Sequence, residues 1–340
     1  MHRTTYSVDL AKSVFQVYSV DRETGEIHNK QYKRSQILAF FAKRSPALVV
    51  LEAGGSAHYW ARKLVALGHE VRLLHAKYVR PFVRTNKTDR SDAQALWSAA
   101  QQPDMRSVAV KSEDQQAVLA LHRMRQQLVK FRTMQMNQLR GLLYEFGVAL
   151  PRGREAGLAE LRKRSAEVEE TVPAIVRQAI AGQLERLQRL EDDIAELERS
   201  IGAWHRHHEP SLRLAEAAGI GVLSATALVA TMGDPKAFRS GRQFAAFLGL
   251  VPAQSGTGGR VHLGSISKRG DPYMRGLLIM GARGVLAHES RRTPWAQELL
   301  KRRPFNVAVV ALANKTARIA WAMLAHGRDY DAKYVSAKPA

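Results

Sequence analysis

Four acidic residues in the N-terminal part of the chain stand where a divalent cation would need oxygen ligands. Asp9 closes the β-rich run TYSVD, and Glu52 closes the apolar run ALVVLE just ahead of a glycine pair. Asp89 and Asp92 lie three apart at the start of a helical pattern, VRTNKTDRSDAQAL, and so share one helical face. Carboxylates gathered in one place repel each other unless a cation lies between them, and Mg²⁺, with Mn²⁺ as a substitute, takes such ligands. At a phosphodiester, two such ions activate a nucleophile and stabilise the leaving oxygen. Taken singly, each acid also suits a plainer role, Asp89 as a helix cap and Asp9 as the end of a strand. Their joint placement at element ends is what points to a metal site. Lys12, Arg84, Lys87 and Arg90 surround these acids and supply charge for the flanking phosphates.

A second constellation is QSGTGGRVHLGSISKRGDPYMR. Its small residues let a ligand approach the backbone, and Arg260, Lys268, Arg269 and Arg275 are candidate phosphate contacts. Ser255, Ser265 and Ser267 offer hydroxyls, although a serine in a glycine-rich loop is by itself an ordinary turn residue. The order of Gly, Lys and Ser/Thr does not make a nucleotide-binding P-loop. His262 has no metal-binding partner at helical spacing, and the His205–His208 run reads as a solvated helix end in preference to a metal site.

Composition narrows the partners. Lys and Arg number 52 against 31 Asp and Glu, a formal charge of +21 over 340 residues, which suits a polyanion. With 45% hydrophobic residues the chain is globular rather than disordered, and its length suits two or three domains. The absence of cysteine excludes disulfides, thiolate zinc sites and cysteine nucleophiles, so any metal sits on oxygen or imidazole. The N-terminus lacks a signal-peptide pattern, and the apolar stretch 307–325 carries Asn314, Lys315 and Arg318 in its middle. A cytoplasmic, nucleoid-associated protein with no membrane contact is the expectation.

The elements that would position these residues fall into three regions. Residues 1–110 read as strand, strand, strand, helix, strand, helix, strand, helix, the ribonuclease H-like order, with SQILAFFAKR capped by Ser35 and a helix from about Ser56 to Leu67. Residues 111–209 read as long helices. Val118, Leu121, Met124, Leu128 and Phe131 keep three-and-four spacing, and Leu187, Leu190, Ile194, Leu197 and Ile201 a strict heptad pattern. An antiparallel coiled-coil hairpin interrupted near Pro151 and Pro173 is expected, its seam closed within the chain or shared with a second copy. Residues 210–330 read as mostly helical with a glycine-rich interruption, followed by a tail at 331–340. Gly219-Ile220-Gly221 serves either to hold a phosphate or simply to reverse the chain.

Nearly end to end, the chain resembles the DEDD insertion-sequence transposases of the IS110 family, especially its IS1111 branch. The resemblance rests on VDLAK, LEAGGSAHYWAR, VRTNKTDRSDAQAL and FLGLVPAQSGTGGRVHLGSISKRGDPYMRGLLIMGAR. It implies a Holliday-junction-resolvase-like catalytic domain of ribonuclease H type, a coiled-coil middle and a C-terminal transposase domain bearing a nucleophilic serine. Asp9, Glu52, Asp89 and Asp92 match the family's metal-binding tetrad, and Ser255, in the Ser-Gly after Leu-Val-Pro, matches the serine, with Ser267 also prominent. The implied activity is Mg²⁺-dependent cleavage and rejoining of DNA through a transient phosphoserine at a composite site of tetrad and serine. The implied partners are the element ends and target DNA, a structured guide RNA, and further copies of the chain as dimer or tetramer. Two departures stand out: Ser7 precedes the first Asp motif where Gly is usual, and Gly54 replaces a common Cys. The residues taken alone also admit a metal-only, junction-resolvase-like endonuclease with water as nucleophile, and an architectural nucleic-acid-binding protein whose acids are structural.

Overall fold

The computed structural model describes residues 4–84, 86 and 88–332, and these form two compact units. The first comprises residues up to Gln116 together with Ala230–Gln243; the second comprises Ala117–Val229 and the chain from Phe244 onward.

The first unit is built on a six-stranded sheet in the order β3-β2-β1-β4-β5-β6. Its strands are β1 (Thr5–Leu10), β2 (Val14–Val20), β3 (Ile27–Lys33), β4 (Leu48–Glu52), β5 (Glu70–Leu74) and the two-residue β6 (Ser107–Val108). The first three form an antiparallel meander, while β4 and β5 continue parallel to β1. The helices α1 (Ile37–Ala42) and α2 (Ala57–Ala66) cover one face, where Phe41, Trp60, Ala61 and Leu64 pack on Val8, Phe15, Val49 and Leu51. Beyond β5 come the single turn α3 (Ala76–Val79) and α4 (Asp89–Ala100), which covers the other face by packing Ala95, Leu96 and Ala99 on Val50 and Leu74. Strands buried on both faces explain why ALVVLE reads as a continuous apolar run rather than an alternating one. One local expectation changes: α1 begins after Gln36 rather than Ser35, because the Gln36 side chain turns back to accept from the Lys33 amide.

In the second unit, α5 (Glu113–Glu145, which starts just inside the first unit) and α8 (Ala174–Arg206) run antiparallel, joined through the short α6 (Arg154–Lys163) and α7 (Ser165–Thr171). Arg125 pairs with Glu198 and Arg132 with Glu191, one heptad apart on each helix. On α8 the expected positions Leu187, Ile194 and Ile201 are buried. On α5 the inward face differs from the expected one. Val118, His122, Met136, Leu139 and Leu143 are buried, whereas Met124 and Phe131 are 47% and 45% exposed. Arg125 and Arg132 face α8 and His122 bonds Tyr273 and Thr226, so polar residues at inward positions hide this face from a purely apolar pattern.

The remainder contains α9 (Glu209–Ala215), α10 (Val222–Met232), α11 (Gly241–Phe247), α12 (Pro272–Ala287), α13 (Pro294–Arg302) and α14 (Phe305–His326). Helix α14 is long and apolar enough to cross a membrane, yet it buries Val309, Leu312, Ala313, Ala317 and Ala320 within the protein. Against the expectation of a loop, the glycine-rich interruption is a β-hairpin of β7 (Pro252–Thr257) and β8 (Arg260–Ile266). Gly258 and Gly259 form its two-residue turn with φ of +54° and +79°, the paired left-handed geometry that suits the twist of a hairpin. Gly219 adopts φ +86° against the backbone of Gly281, so this glycine serves chain reversal and close helix packing.

Candidate active site

Thr88, not Asp89, caps α4. Its hydroxyl accepts from the Ser91 amide while Ser91 Oγ accepts from the Thr88 amide, a closed capping box. Asp89 and Asp92 are thereby released from capping and occupy the first turn, where the helix dipole favours negative charge.

Helix α4 runs antiparallel to β1, and two contacts set its level. Trp97 Nε1 donates to the Thr5 carbonyl at 3.1 Å, and Ser7 Oγ donates to the Ala93 carbonyl at 2.6 Å. Two strand residues advance about 6.7 Å and four helical residues about 6 Å, so the two elements keep step. One more step of each leads from Ser7 and Ala93 to Asp9 and Asp89. Side chains alternate along a strand, so Asp9 shares the α4 face with Ser7. The parallel pairing runs through Val8 and Leu51, and the next position on each strand places Asp9 beside Glu52. Glu52 lies on the face of Val50, which packs against α4.

All four acids therefore converge on one face at one edge of the sheet. Asp9 and Asp92 are half-buried, and Glu52 and Asp89 are exposed, so the edge is open to a large ligand. Among the described residues no three His, Asp or Glu side chains stand close enough to hold an ion. The carboxylates thus share an edge without closing to ligand distance. The donor set is all oxygen on a solvent-open edge, which fits a hard divalent cation.

Both departures noted in the sequence have a structural reading. The Ser7 hydroxyl ties β1 to α4, and a Cβ on Gly54 would meet nothing closer than the Glu52 carbonyl at 3.9 Å, so the position tolerates a side chain. Lys12, Arg84 and Arg90 are exposed around the edge; Lys87 lies outside the described residues.

In the second unit, Ser255 is an exposed residue of β7 directly opposite His262 of β8. Opposed residues in an antiparallel pair place their Cβ atoms about 5 Å apart on one face. The proximity of His262 follows from the Gly-Gly turn, which fixes Thr257 against Arg260 and hence Ser255 against His262; helical spacing could not reveal it. Gly256 is required beside the serine, because a Cβ there would lie 2.5 Å from the Arg260 carbonyl. Ser265 sits farther along β8, and the amide of Ser267 is tied to the Val251 carbonyl at 2.8 Å. Arg260, Lys268 and Arg269 are exposed, with Lys268 at φ +52°. Arg275 instead bonds the carbonyls of Leu248 and Gly270 and anchors the start of α12.

A mixed sheet with Asp9, Glu52, Asp89 and Asp92 at one edge, followed by a largely helical unit, is consistent with the class of DEDD insertion-sequence transposases. The chain belongs to the IS116/IS110/IS902 family: the DEDD transposase model of IS110 type matches residues 7–147, and the IS116/IS110/IS902 family transposase model matches residues 211–300. The four acids fall in the first match, and Ser255 and His262 in the second. A "Probable family 20 transposase" of Pseudomonas aeruginosa is 49% identical over 97% of this chain and 99% of its own length. The transposase for insertion sequence element IS1111A of Coxiella burnetii is 38% identical, covering 95% of this chain and 90% of that protein. The transposase for element IS1328 of Yersinia enterocolitica is 37% identical, covering 95% and 97%.

Proposed function

We propose that this transposase cleaves and rejoins the DNA strands of an insertion element by transesterification, using Asp9, Glu52, Asp89 and Asp92 to hold Mg²⁺ and Ser255 as the nucleophile. The observation that carries this reading is the convergence of the four acids on one sheet edge, set by the level at which α4 crosses β1. The adjacency of β1 and β4 in the sheet supports reading the first unit as ribonuclease H-like. The family's three-part division at about residues 110 and 209 remains part of the proposal, as does the coiled-coil character of the α5–α8 pair.

A bound divalent cation supplies charge neutralisation and polarisation of a phosphoryl oxygen. The remaining chemistry belongs to the chain. Ser255 Oγ attacks phosphorus, the P–O3′ bond breaks, and a phosphoserine forms. His262, on the same face of the hairpin, takes the Ser255 proton and returns it to the departing 3′ oxygen. Attack by a 3′-hydroxyl on the phosphoserine reverses these steps, restores a phosphodiester and frees the serine, so no nucleotide triphosphate is consumed. Exposed Lys12, Arg84, Arg90, Arg260, Lys268 and Arg269, with Lys87, hold the flanking phosphates, and Arg275 shapes the loop that presents them. Selection of element ends and target is assigned to a structured guide RNA in the manner of the IS1111 branch, and the active form to a homo-oligomer in the bacterial cytoplasm.

The test is an assay of strand transfer on element-end DNA with denaturing capture of protein–DNA adducts. Asp92→Asn and omission of divalent cation are expected to abolish cleavage, and Ser255→Ala to abolish the adduct. Full cleavage without any adduct in the parent protein would instead establish a hydrolytic, metal-only nuclease.

A further inference from the structure

We infer that the first unit carries a second nucleic-acid subsite, a cavity that seats one unpaired nucleotide beside the cleavage edge. The cavity has a volume of about 720 Å³ and is lined by Ser13, Val14, Lys33, Arg34, Ser35, Leu38 and Trp60. That volume lies within the usual range for small-ligand pockets and accommodates a nucleoside with its phosphate.

Its position follows from the topology. Ser13 and Val14 lie in the turn and first residue that follow β1, and Lys33, Arg34 and Ser35 leave the end of β3. Because β3 runs parallel to β1, both segments stand at the sheet edge that carries Asp9 and Glu52. The β2 and β3 ends are one and two strands away from β1, about 5–10 Å, or one to two nucleotide steps along an extended strand. Trp60 and Leu38 come from α2 and α1, so the cavity opens over the edge on the sheet face opposite α4.

Its chemistry is that of a nucleotide site. The Arg34 guanidinium lies 5.0 Å from the Trp60 ring centroid and 5.9 Å from that of Phe15, a stacked cation that extends an aromatic wall. Arg34 makes one long contact, 3.5 Å to the Lys12 carbonyl, and neither it nor Lys33 is paired with a carboxylate among the described residues. Arg34 and Lys33 are exposed cations of the lining and Ser13 and Ser35 are exposed hydroxyl residues, the donor types that hold a phosphate. Trp60 is 5% exposed, and its indole N–H has no acceptor among the described residues. A buried donor without a partner is uncommon, and a ligand seated against Trp60 alters the surroundings of this N–H. An exposed guanidinium backed by a buried aromatic ring, beside a second exposed cation, suits a single strand held without sequence preference.

The inference rests on the transposase reading only for the statement that the neighbouring edge is the site of cleavage. Its test needs no catalysis. The chain labelled with ¹⁵N at tryptophan is titrated, without divalent cation, with a single-stranded tetranucleotide in deoxyribo and ribo forms, and with a blunt duplex of the same sequence. The Trp60 indole resonance is expected to shift with the single strands and to stay in place with the duplex, and the tighter of the two arms identifies the source as DNA or RNA. Arg34→Gln and Ser13→Ala, both at exposed positions, are expected to weaken single-strand affinity, the first on the order of tenfold. A Trp60 resonance that ignores the single strands, an equal shift with duplex, or unchanged affinity in Arg34→Gln overturns the inference. None of these outcomes depends on whether Asp92→Asn abolishes cleavage, so the two readings fail separately.

Discussion

The Ser7 hydroxyl, fully buried in β1, donates to the carbonyl of Ala93 in α4 at 2.6 Å, across 86 positions of sequence. This bond sets the level at which the first turn of α4, with Asp89 and Asp92, meets the end of β1, with Asp9. Ser7→Ala removes the donor while Ala93 keeps its place in the helix, so the loss in stability is expected to be about 1 kcal/mol. The loss in cleavage should be larger than that figure implies, because the acids lose their common level. Urea denaturation and single-turnover cleavage measured on the same preparation check both; equal rates in the two proteins would show that Ser7 only packs.

His122 supplies a pH dependence of stability. It is 1% exposed, with Nδ1 2.8 Å from the Tyr273 hydroxyl and Nε2 2.9 Å from Thr226 Oγ1. Thr226 donates its own proton to the Val222 carbonyl, so Nε2 carries the imidazole proton and Nδ1 accepts from Tyr273. A second proton has no acceptor in this arrangement. Burial, reinforced by the nearby Arg125 charge, lowers the His122 pKa to about 4. The unfolded chain binds the proton near pH 6.5 and the folded one only near 4, so the stability is complete above 6.5 and lost as pH falls through that window. The loss is about 3 kcal/mol at most. Denaturation midpoints at pH 7 and pH 4.5 should differ by correspondingly less in His122→Gln than in the parent.

Two glycines on one helix make opposite predictions. A Cβ on Gly281 would lie 1.9 Å from the Gly219 carbonyl oxygen, whereas one on Gly284 meets nothing within 4 Å. Alanine favours a helix interior by up to about 1 kcal/mol over glycine. Gly284→Ala should therefore be neutral or stabilising, while Gly281→Ala forces α12 away from the Gly219 turn and costs about 2 kcal/mol or more. Thermal melting of the two variants against the parent decides it.

These cases show where the sequence is legible and where it is not. Strand β4 is readable because it is a continuous buried apolar run, and the four acids stand out because each lies at or within one turn of an element's end. The α5 seam is not, since His122, Arg125 and Arg132 occupy inward positions that an apolar pattern leaves out, while Met124 and Phe131 satisfy the pattern on the outside. The β7–β8 hairpin escapes for the opposite reason: its residues are almost all exposed, so no alternation marks it, and only the Gly258-Gly259 turn betrays the register. That register is what relates His262 to Ser255.

The Ser255–His262 pair gives the sharpest test of the chemistry. On the proposed mechanism Ser255→Ala removes the attacking oxygen, so the covalent adduct and strand transfer should both vanish. His262→Gln keeps a polar side chain opposite the serine but removes the proton acceptor, and positioned general bases contribute about 10²–10⁴-fold. The adduct should then still form, at a rate lower by that order. DNA affinity measured without divalent cation should be unchanged, since glutamine keeps a polar side chain at this exposed position. Loss of affinity in step with rate would make His262 a DNA contact, and a parental rate would remove it from the proton path while leaving the serine in place.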